Sequence, residues 1–452
     1  MPFDEQNYRQ LRQSMQNAGV ARDLLIGHTV FYKETTETTM IDSLEGVVAG
    51  VSSGSVFVAG QQLAGRGRKG RSFVSAPDSG LWATTYYELE SMKQANQVTM
   101  VAALAVRDAV ELALDHLGRR MSGSDVKIFY EDDTFKPDVG KQKTEKLVKK
   151  DKVHFVTGYI WSHVLLASRN SVVGKGPFMI TSNAGPGPVA GKLCHEDFFS
   201  TSWQNDQTTM AMGEVLNQLG IKNLYIMAPN YAAGKNMVAG VTRTFKGNIV
   251  GKDMTKFPAQ IDFSAELAKI RSANPDAVFV FYPGKHGLQI VKQFSQAGLQ
   301  GKIPFYSAFT VDSLNLPRLK GLAEGSLMTQ FWAPDLDNPV NTRFVADYRK
   351  KTGRYPTFYA AQSYDTIMLI NSAVESVGGN LSNKTGMRKA MRKAEFPSVR
   401  GPFKYGNNHF PIQNFYLRKV IKDSEGNYTT SIVKTVYTNH QDPYAKDCKM
   451  SW

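Results

Sequence analysis

Cysteine is the scarcest residue with organising power in this chain. Only Cys194 and Cys448 occur in 452 residues, which excludes a disulfide framework and a cysteine-rich zinc site and leaves one long-range disulfide or two inert thiols. Long apolar runs are missing too: none approaches the roughly 20 residues that span a bilayer. The opening MPFDEQNYRQLRQ has no basic region followed by an apolar core, so as written nothing directs export and the chain would stay in the cytoplasm. Acidic residues are outnumbered, 40 against 54 Lys and Arg, for a net charge of +14. The basic clusters at 66–71, 141–152 and 388–392 have no interleaved aromatic residues, which argues for solvated faces rather than a nucleic-acid surface. What is present is an ordinary globular composition, 42% hydrophobic, long enough for two or three domains with cores of their own.

The pattern changes near residue 100. Before it, VFYKETTETTMIDSLEG, GSVFVAG and GLWATTYYEL read as strands and a short helix, with a Gly/Arg loop between the second and third. After it, a periodic helix from Val101 to Leu117 leads into short apolar strands alternating with amphipathic helices. The strands are VKIFYED, VHFVTG, PFMITS, NLYIMAP, AVFVFYP and IPFYSA. The helices are expected at 137–149, 207–219, 234–245, 263–273 and 287–297. Short strands separated by helices of this length mean an α/β fold of parallel sheets covered on both faces, and this many units predict two doubly wound lobes.

Such sheets bind ligands beyond their strand ends. Read this way, the candidate site holds Tyr159, Trp161 and Ser162 after VHFVTG, and Asn183, Ala184 and Gly185 after PFMITS, with inward-pointing amides. Asn230 and Tyr231 follow NLYIMAP, Gly284, Lys285 and His286 follow AVFVFYP, and Phe309 and Thr310 follow IPFYSA. Aromatic walls, hydroxyl and amide donors and few carboxylates suit an organic anion with an apolar body.

The ordered series AVRDAVELALDHLG, YEDD, VTGYIWSHVLLAS, FFSTSWQND, PNYAAG, PTFYAAQSYD and RGPFKYGNNHFPIQNFYL resembles the branched-chain amino-acid type of periplasmic substrate-binding protein serving ABC transporters, and in particular its relatives that bind aromatic or aliphatic carboxylates. The resemblance implies a two-lobed type I periplasmic binding protein fold over 106–452, with lobe 1 at about 106–204 and 333–412 and lobe 2 at about 205–332 and 413–452. It implies a periplasmic location, a membrane permease as partner, and no cofactor. By it, Ser162 and Ala184 match positions that hold the ligand carboxylate, and Tyr231 and Tyr282 match aromatic positions of the opposite lobe. The amino-acid binders pair the ligand ammonium with an acidic residue where this chain has Phe309, and a second acidic position falls on Asn205, one residue before Asp206. A buried ammonium without a carboxylate partner loses several kcal/mol, so an aromatic or branched aliphatic acid is expected in preference to a free amino acid. The aromatic-acid relatives also carry a cysteine before FFSTSWQND and one near the C-terminus, which implies a Cys194–Cys448 disulfide.

Residues 1–105 resemble the first half of a biotin protein ligase catalytic domain, an incomplete α+β segment, through VFYKETTETTMID and VFVAGQQLAGRGRKGRSFVSAPDSGLWAT. In that family the GRGR loop folds over biotin and the adenylate, which maps the contacts onto Gln62, Gly65, Arg66, Arg68 and Lys69 and would call for biotin and ATP. The second half of that pocket is missing: VKIFYEDD, with Lys127 displaced, stands where the ligase lysine segment belongs, so no ligase activity is expected. The binding domain in turn lacks its first, central strand, whose place before AVRDAVELAL is taken by ELESMKQANQVTMVAAL. The N-terminal strands are expected to form a separate sheet, leaving VKIFYED with an exposed edge; pairing of 56–59 or 84–88 with it is the alternative. Three functions follow: a solute-binding receptor, a biotin-transferring enzyme, or an inactive fusion of two incomplete proteins.

Overall fold

The computed structural model describes residues 29–51, 55–64, 82–85 and 101–451. The chain divides into two units, Met1–Thr99 and Met100–Trp452. The division precedes the expected boundary at 105, because the helix starting at Val101 is continuous and belongs whole to the second unit.

In the first unit, β1 (Val30–Thr36), α1 (Thr39–Val48), β2 (Val56–Gln62) and β3 (Trp82–Thr85) form a sheet of order β1-β2-β3. β1 runs parallel to β2 and β3 antiparallel to it. Phe31 stacks on Phe57 at 4.9 Å between ring centroids. This is the separate sheet expected: 56–59 pair with β1 and β3 and not with VKIFYED. Of the stretch 84–88, Thr84 and Thr85 pair with Phe57 and Val56, and the rest lies outside the described residues. Packing is thin, with Leu44 66% and Val48 90% exposed.

The second unit begins with α2 (Val101–His116), a short hairpin of β4 (Arg120–Met121) and β5 (Ser124–Asp125), and α3 (Pro137–Lys149). It continues with β6 (Phe155–Thr157), α4 (Ser162–Ser168), β7 (Phe178–Thr181), α5 (Gly187–Ala190) and β8 (Phe198–Ser200). The second lobe follows as α6 (Asn205–Gln218), β9 (Asn223–Pro229), α7 (Ala232–Thr244), β10 (Asn248–Thr255), α8 (Ser264–Ala273), β11 (Ala277–Val280), α9 (Lys285–Gln296), β12 (Phe305–Ala308), α10 (Leu316–Leu319) and β13 (Leu327–Gln330). The chain returns to the first lobe for α11 (Pro339–Thr352), α12 (Phe358–Ser376) and α13 (Lys384–Lys393), then adds β14 (Gln413–Lys422) and β15 (Tyr428–His440) to the second.

The second lobe's sheet has the order β10-β9-β11-β12-β13-β14-β15. Its first five strands are parallel, in the order of a doubly wound sheet; β14 and β15 extend it as an antiparallel hairpin, so the sheet is mixed rather than purely parallel. β11 is buried at every residue, as a strand covered on both faces must be. The first lobe's sheet is shorter, β6-β7-β8, all parallel. Phe178 and Ile180 of β7 face the core beneath α2 and α12, and Met179 faces the opposite core beneath α4.

The expected strand VKIFYED does not form. No residue of 126–133 is in a strand, and among the described residues the backbone groups of 127–132 make no hydrogen bond. A strand exists through its ladder, and among the described residues no neighbour stands beside this segment to carry one.

Three connections between the lobes pass one buried guanidinium. Arg400 Nε binds Asp365 Oδ2 at 2.9 Å, with side chains 6% and 0% exposed. Its Nη2 donates to Thr201 O at 2.6 Å and its Nη1 to Ser202 O at 3.2 Å, on the first connection. Nη1 also donates to Gln413 Oε1 at 2.8 Å on the third, and the guanidinium lies over the Phe331 ring, 5.4 Å from its centroid, on the second. Burial disfavours both charges, and each is the other's compensation.

The C-terminal tail leaves the lobe to which the sequence assigned it. Beyond β15, Asp442 accepts from Asn408 Nδ2 at 2.8 Å, Ala445 O accepts from Asn407 Nδ2 at 3.0 Å, and Cys448 is disulfide-bonded to Cys194 with Cα atoms 5.7 Å apart. The tail therefore closes on the first lobe, and lobe 2 ends near 440 rather than 452. No helix among the described residues is long and apolar enough to cross a membrane.

Two outcomes follow for stability. Arg400→Met strands the Asp365 carboxylate and should lower the unfolding free energy by about 3–5 kcal/mol in urea titrations, with much of the loss recovered when Asp365 is replaced by leucine as well; an unchanged midpoint would show that the pair does not hold the connections. Replacing Cys194 and Cys448 together by serine should cost about 2–4 kcal/mol, as expected for a bridge closing so long a loop, and equal midpoints for the two proteins would refute it.

Candidate functional site

The strand ends of the second unit converge on a cleft between its lobes. From the first lobe come Ile160, Trp161 and Ser162, the turn at Asn183 and Ala184, Trp203, and from α12 Phe358 and Tyr359, with Asn205 at the connection where α6 begins. The second lobe contributes Tyr231, Ala233 and Met237 from the start of α7, with Phe281, Pro283 and Phe309 from the ends of β11 and β12. None of these side chains is charged. The space left between them is about 20 Å³, room for about one water and for no organic ligand, so the lobes are closed upon each other.

Aromatic rings make the walls. Tyr231 stacks on Phe257 at 4.6 Å and meets Trp161 edge-on at 6.1 Å. Trp203 stacks on Phe309 at 4.5 Å, and Phe309 meets Phe358 at 4.9 Å. Phe309 holds this position with φ of 54°, a left-handed conformation that aims its ring into the cleft.

The polar groups are few and mostly committed. Asn205 Nδ2 donates to Ser162 Oγ at 3.1 Å and to Asn236 Oδ1 at 3.3 Å, tying the first lobe to α7 of the second. Its Oδ1 accepts the Gly185 amide at 3.2 Å. Ser162 is 2% exposed, and because its oxygen already accepts from Asn205, its hydroxyl proton is available to an anion. The hydroxyls of Tyr231 and Tyr359 have no hydrogen-bond partner among the described residues, and burial pushes both phenols well above their ordinary range, so both are neutral donors.

Several expected site residues do other work. Tyr159 turns into the first lobe's core, where its hydroxyl meets Thr144 Oγ1 at 2.6 Å and its carbonyl accepts the Ala184 amide at 3.0 Å. The amides of Ala184 and Gly185 are thus already bonded and do not point inward to a ligand. Asn183 lines the cleft, but its Nδ2 holds Ile160 O at 2.7 Å and its Oδ1 accepts from Gln362 at 2.8 Å, which makes it a clamp on the loop. Tyr282 is fully buried in the second lobe's core with its hydroxyl on Thr255 at 3.0 Å; strand alternation sends the neighbouring Phe281 to the cleft instead. Thr310 Oγ1 accepts the Tyr282 amide, His286 contacts Pro258 O at 3.0 Å behind Phe257, and Asn230 is exposed.

The choice between Asn205 and Asp206 is settled by the helix they open. Asn205 faces the cleft, whereas Asp206 is fully buried on the other side, where its carboxylate accepts from Tyr444 at 3.1 Å and Arg243 at 3.3 Å. A further buried carboxylate, Asp312, has its pKa pushed up by burial to about 6 and bonds the Leu314 amide; it does not line the cleft. The residues missed from sequence, Trp203, Phe358 and Tyr359, come from segments that reach the cleft by tertiary packing; FFSTSWQND and PTFYAAQSYD hinted at them only as family-like stretches. In the first unit, Gln62 Oε1 accepts from Thr39 N at 2.7 Å at the start of α1, while Gly65, Arg66, Arg68 and Lys69 lie outside the described residues.

A family model for periplasmic binding proteins matches residues 99–426. The chain is 26% identical over 340 residues to a protein of Brucella melitensis named Leu/Ile/Val-binding protein homolog 6, covering 73% of this chain and 86% of that one. Among solved structures it is similar to an ABC transporter solute-binding protein from R. palustris in complex with benzoate, with 29% identity, a TM-score of 0.72, and coverage of 77% of this chain and 95% of that one. A second R. palustris solute-binding protein, in complex with 3,4-dihydroxybenzoic acid, shares 25% identity with a TM-score of 0.69 over 76% of this chain and 94% of that one.

The expected effect of substitution separates ligand contacts from core residues. Ser162→Ala should weaken binding of an aromatic carboxylate by about 1–3 kcal/mol in calorimetry, the loss of one hydrogen bond to a charged group. Tyr159→Phe should leave the affinity unchanged, since that hydroxyl is spent on Thr144. Equal effects of the two changes would remove Ser162 from the site.

Proposed function

The chain belongs to the periplasmic binding protein family, and from that membership we propose that its second unit is the solute-binding component of an ABC transporter, closing its lobes over a small carboxylate with an aromatic or branched aliphatic body. The observation that carries the reading is that none of the described side chains lining the cleft is charged. An amino acid would bring an ammonium group into this space. The carboxylate that might meet it, Asp206, is held outside the cleft by Arg243 and Tyr444, and Phe309 occupies the other expected acidic position. A carboxylate, by contrast, finds neutral donors in Ser162, Tyr231 and Tyr359, and its apolar body finds rings on both sides.

The relatives support this choice unevenly. The Brucella proteins are named for leucine, isoleucine and valine, while the R. palustris structures hold benzoate and a hydroxylated benzoate. The uncharged cleft agrees better with the second group. The mechanism is mechanical: the lobes part about the connections gathered at Arg400, admit the acid, and close so that donors from both lobes reach it. A membrane permease is the partner that receives the closed, loaded form, in the periplasm. No cofactor enters this cycle. We assign no adenylating activity to the first unit, whose one described loop residue, Gln62, is engaged with Thr39.

A matched pair of ligands tests the reading directly. Benzoate and 4-methylpentanoate should each raise the melting temperature of the full chain, whereas leucine, which is 4-methylpentanoate with an ammonium group, should not. Stabilisation by leucine alone would overturn the preference for an unsubstituted acid, and stabilisation only by biotin with ATP would point to the ligase-like reading.

A further inference from the structure

The first lobe contains a second cavity, of about 690 Å³, far larger than the cleft. It lies between β6 and the extended segment 126–133, with α2 and α12 on one side and α3 on the other. Val110, Ile370 and Val374 represent the first face, and Leu147 the opposite one. We propose that this cavity is a strand-binding slot, which takes an extended, uncharged, apolar segment of about six residues from a separate polypeptide, laid parallel to β6.

The two long walls of the cavity are backbone edges. β6 is the terminal strand of its sheet, and His154 O accepts from Phe178 N at 3.0 Å. In a parallel ladder alternate residues bond to the same neighbour, so His154 and Val156 serve β7 while Phe155 and Thr157 present their N–H and C=O groups to the cavity. Across it, the backbone of 127–132 makes no hydrogen bond among the described residues. A strand between the walls would satisfy both rows at once. A lipid or aromatic ligand would fill the apolar volume but leave those rows without partners, which is the more costly solution wherever they are taken out of water.

The second lobe shows what such a position holds. There β9 lies between β10 and β11, paired in parallel with both. Its sequence, NLYIMAP, carries no charge, and all of it but Asn223 is buried, as required of a strand covered on both faces. The slot in the first lobe has comparable surroundings: a strand-like segment on one side, a strand in position to pair in parallel on the other, and helices above and below. Its occupant must match that chemistry.

The described strands of this chain do not supply it. β1, β2 and β3 pair with one another in their own sheet. The stretch leading into α2, ELESMKQANQ, has charged or amide side chains at most positions, which suits neither face of the slot. With no described strand of this chain to fill the slot, the occupant is placed in trans, by the strand addition that open sheet edges support.

Amide hydrogen exchange on the full chain tests this, using a capped peptide of the sequence SVFVAG as probe. Without peptide, the amides of Phe155, Thr157 and 127–132 should exchange close to the unprotected rate. With saturating peptide they should slow by at least about tenfold, while benzoate leaves them unchanged. The same peptide N-methylated at alternate residues, which keeps the side chains and removes the donors, should give no protection. Three results would each overturn the proposal: protection of these amides before peptide is added, which places a segment of this chain in the slot; equal protection by the N-methylated peptide or by decanoate, which makes the cavity an apolar ligand site; or no protection by the unmodified peptide.

Discussion

The contact between Arg400 and Asp365 governs the geometry of everything around the cleft. Two charges removed from water are a poor source of stability in themselves, because desolvation offsets most of their attraction. Their value here is positional. A planar guanidinium with five donors reaches two carbonyls of the first connection, an amide oxygen of the third and the ring of the second, and Asp365 on α12 fixes where that fan of donors sits. α12 also carries Phe358 and Tyr359 into the cleft. The element that anchors the hinge thus also forms part of the binding wall, so lobe movement and wall position are set by one helix.

Much of the second unit could be read in the chain. The strands NLYIMAP and PFMITS and the helices at 137–149 and 205–218 fall within a few residues of expectation, because short apolar runs bounded by turn residues have few other outcomes in a sheet covered on both faces. Ser162, Trp161, Tyr231, Asn205 and Phe309 all reach the cleft from strand ends or helix starts. The failures are local and physical. Tyr282 and Phe281 are adjacent, and in an all-apolar strand the pattern alone does not say which of two aromatics faces the ligand. Tyr159 was placed by its position after a strand, but its hydroxyl found Thr144 across a helix interface that no local pattern reveals.

VKIFYED failed for a different reason. It has the composition of a buried strand, and every local rule assigns it as one. Strand formation is a property of pairs, however, and among the described residues this segment has no pair. The first unit shows the complementary case: β1 and β2 do form, since each has the other, yet the sheet leaves α1 with apolar side chains in solvent. Local propensity proposes an element, and its neighbours decide whether it is realised.

The Cys194–Cys448 bridge changes what the connections between lobes have to do. It joins positions 254 residues apart, one in the first lobe and one in a tail that has returned to that lobe after the last strand of the second. All three connections at Arg400 lie inside the ring it closes. The second lobe is therefore a loop hung from the first by both ends, with the first lobe's own α11, α12 and α13 threaded into the same ring. A single cut in the backbone between the two cysteines would leave one covalent molecule, and releasing a fragment would require a second break or a reductant.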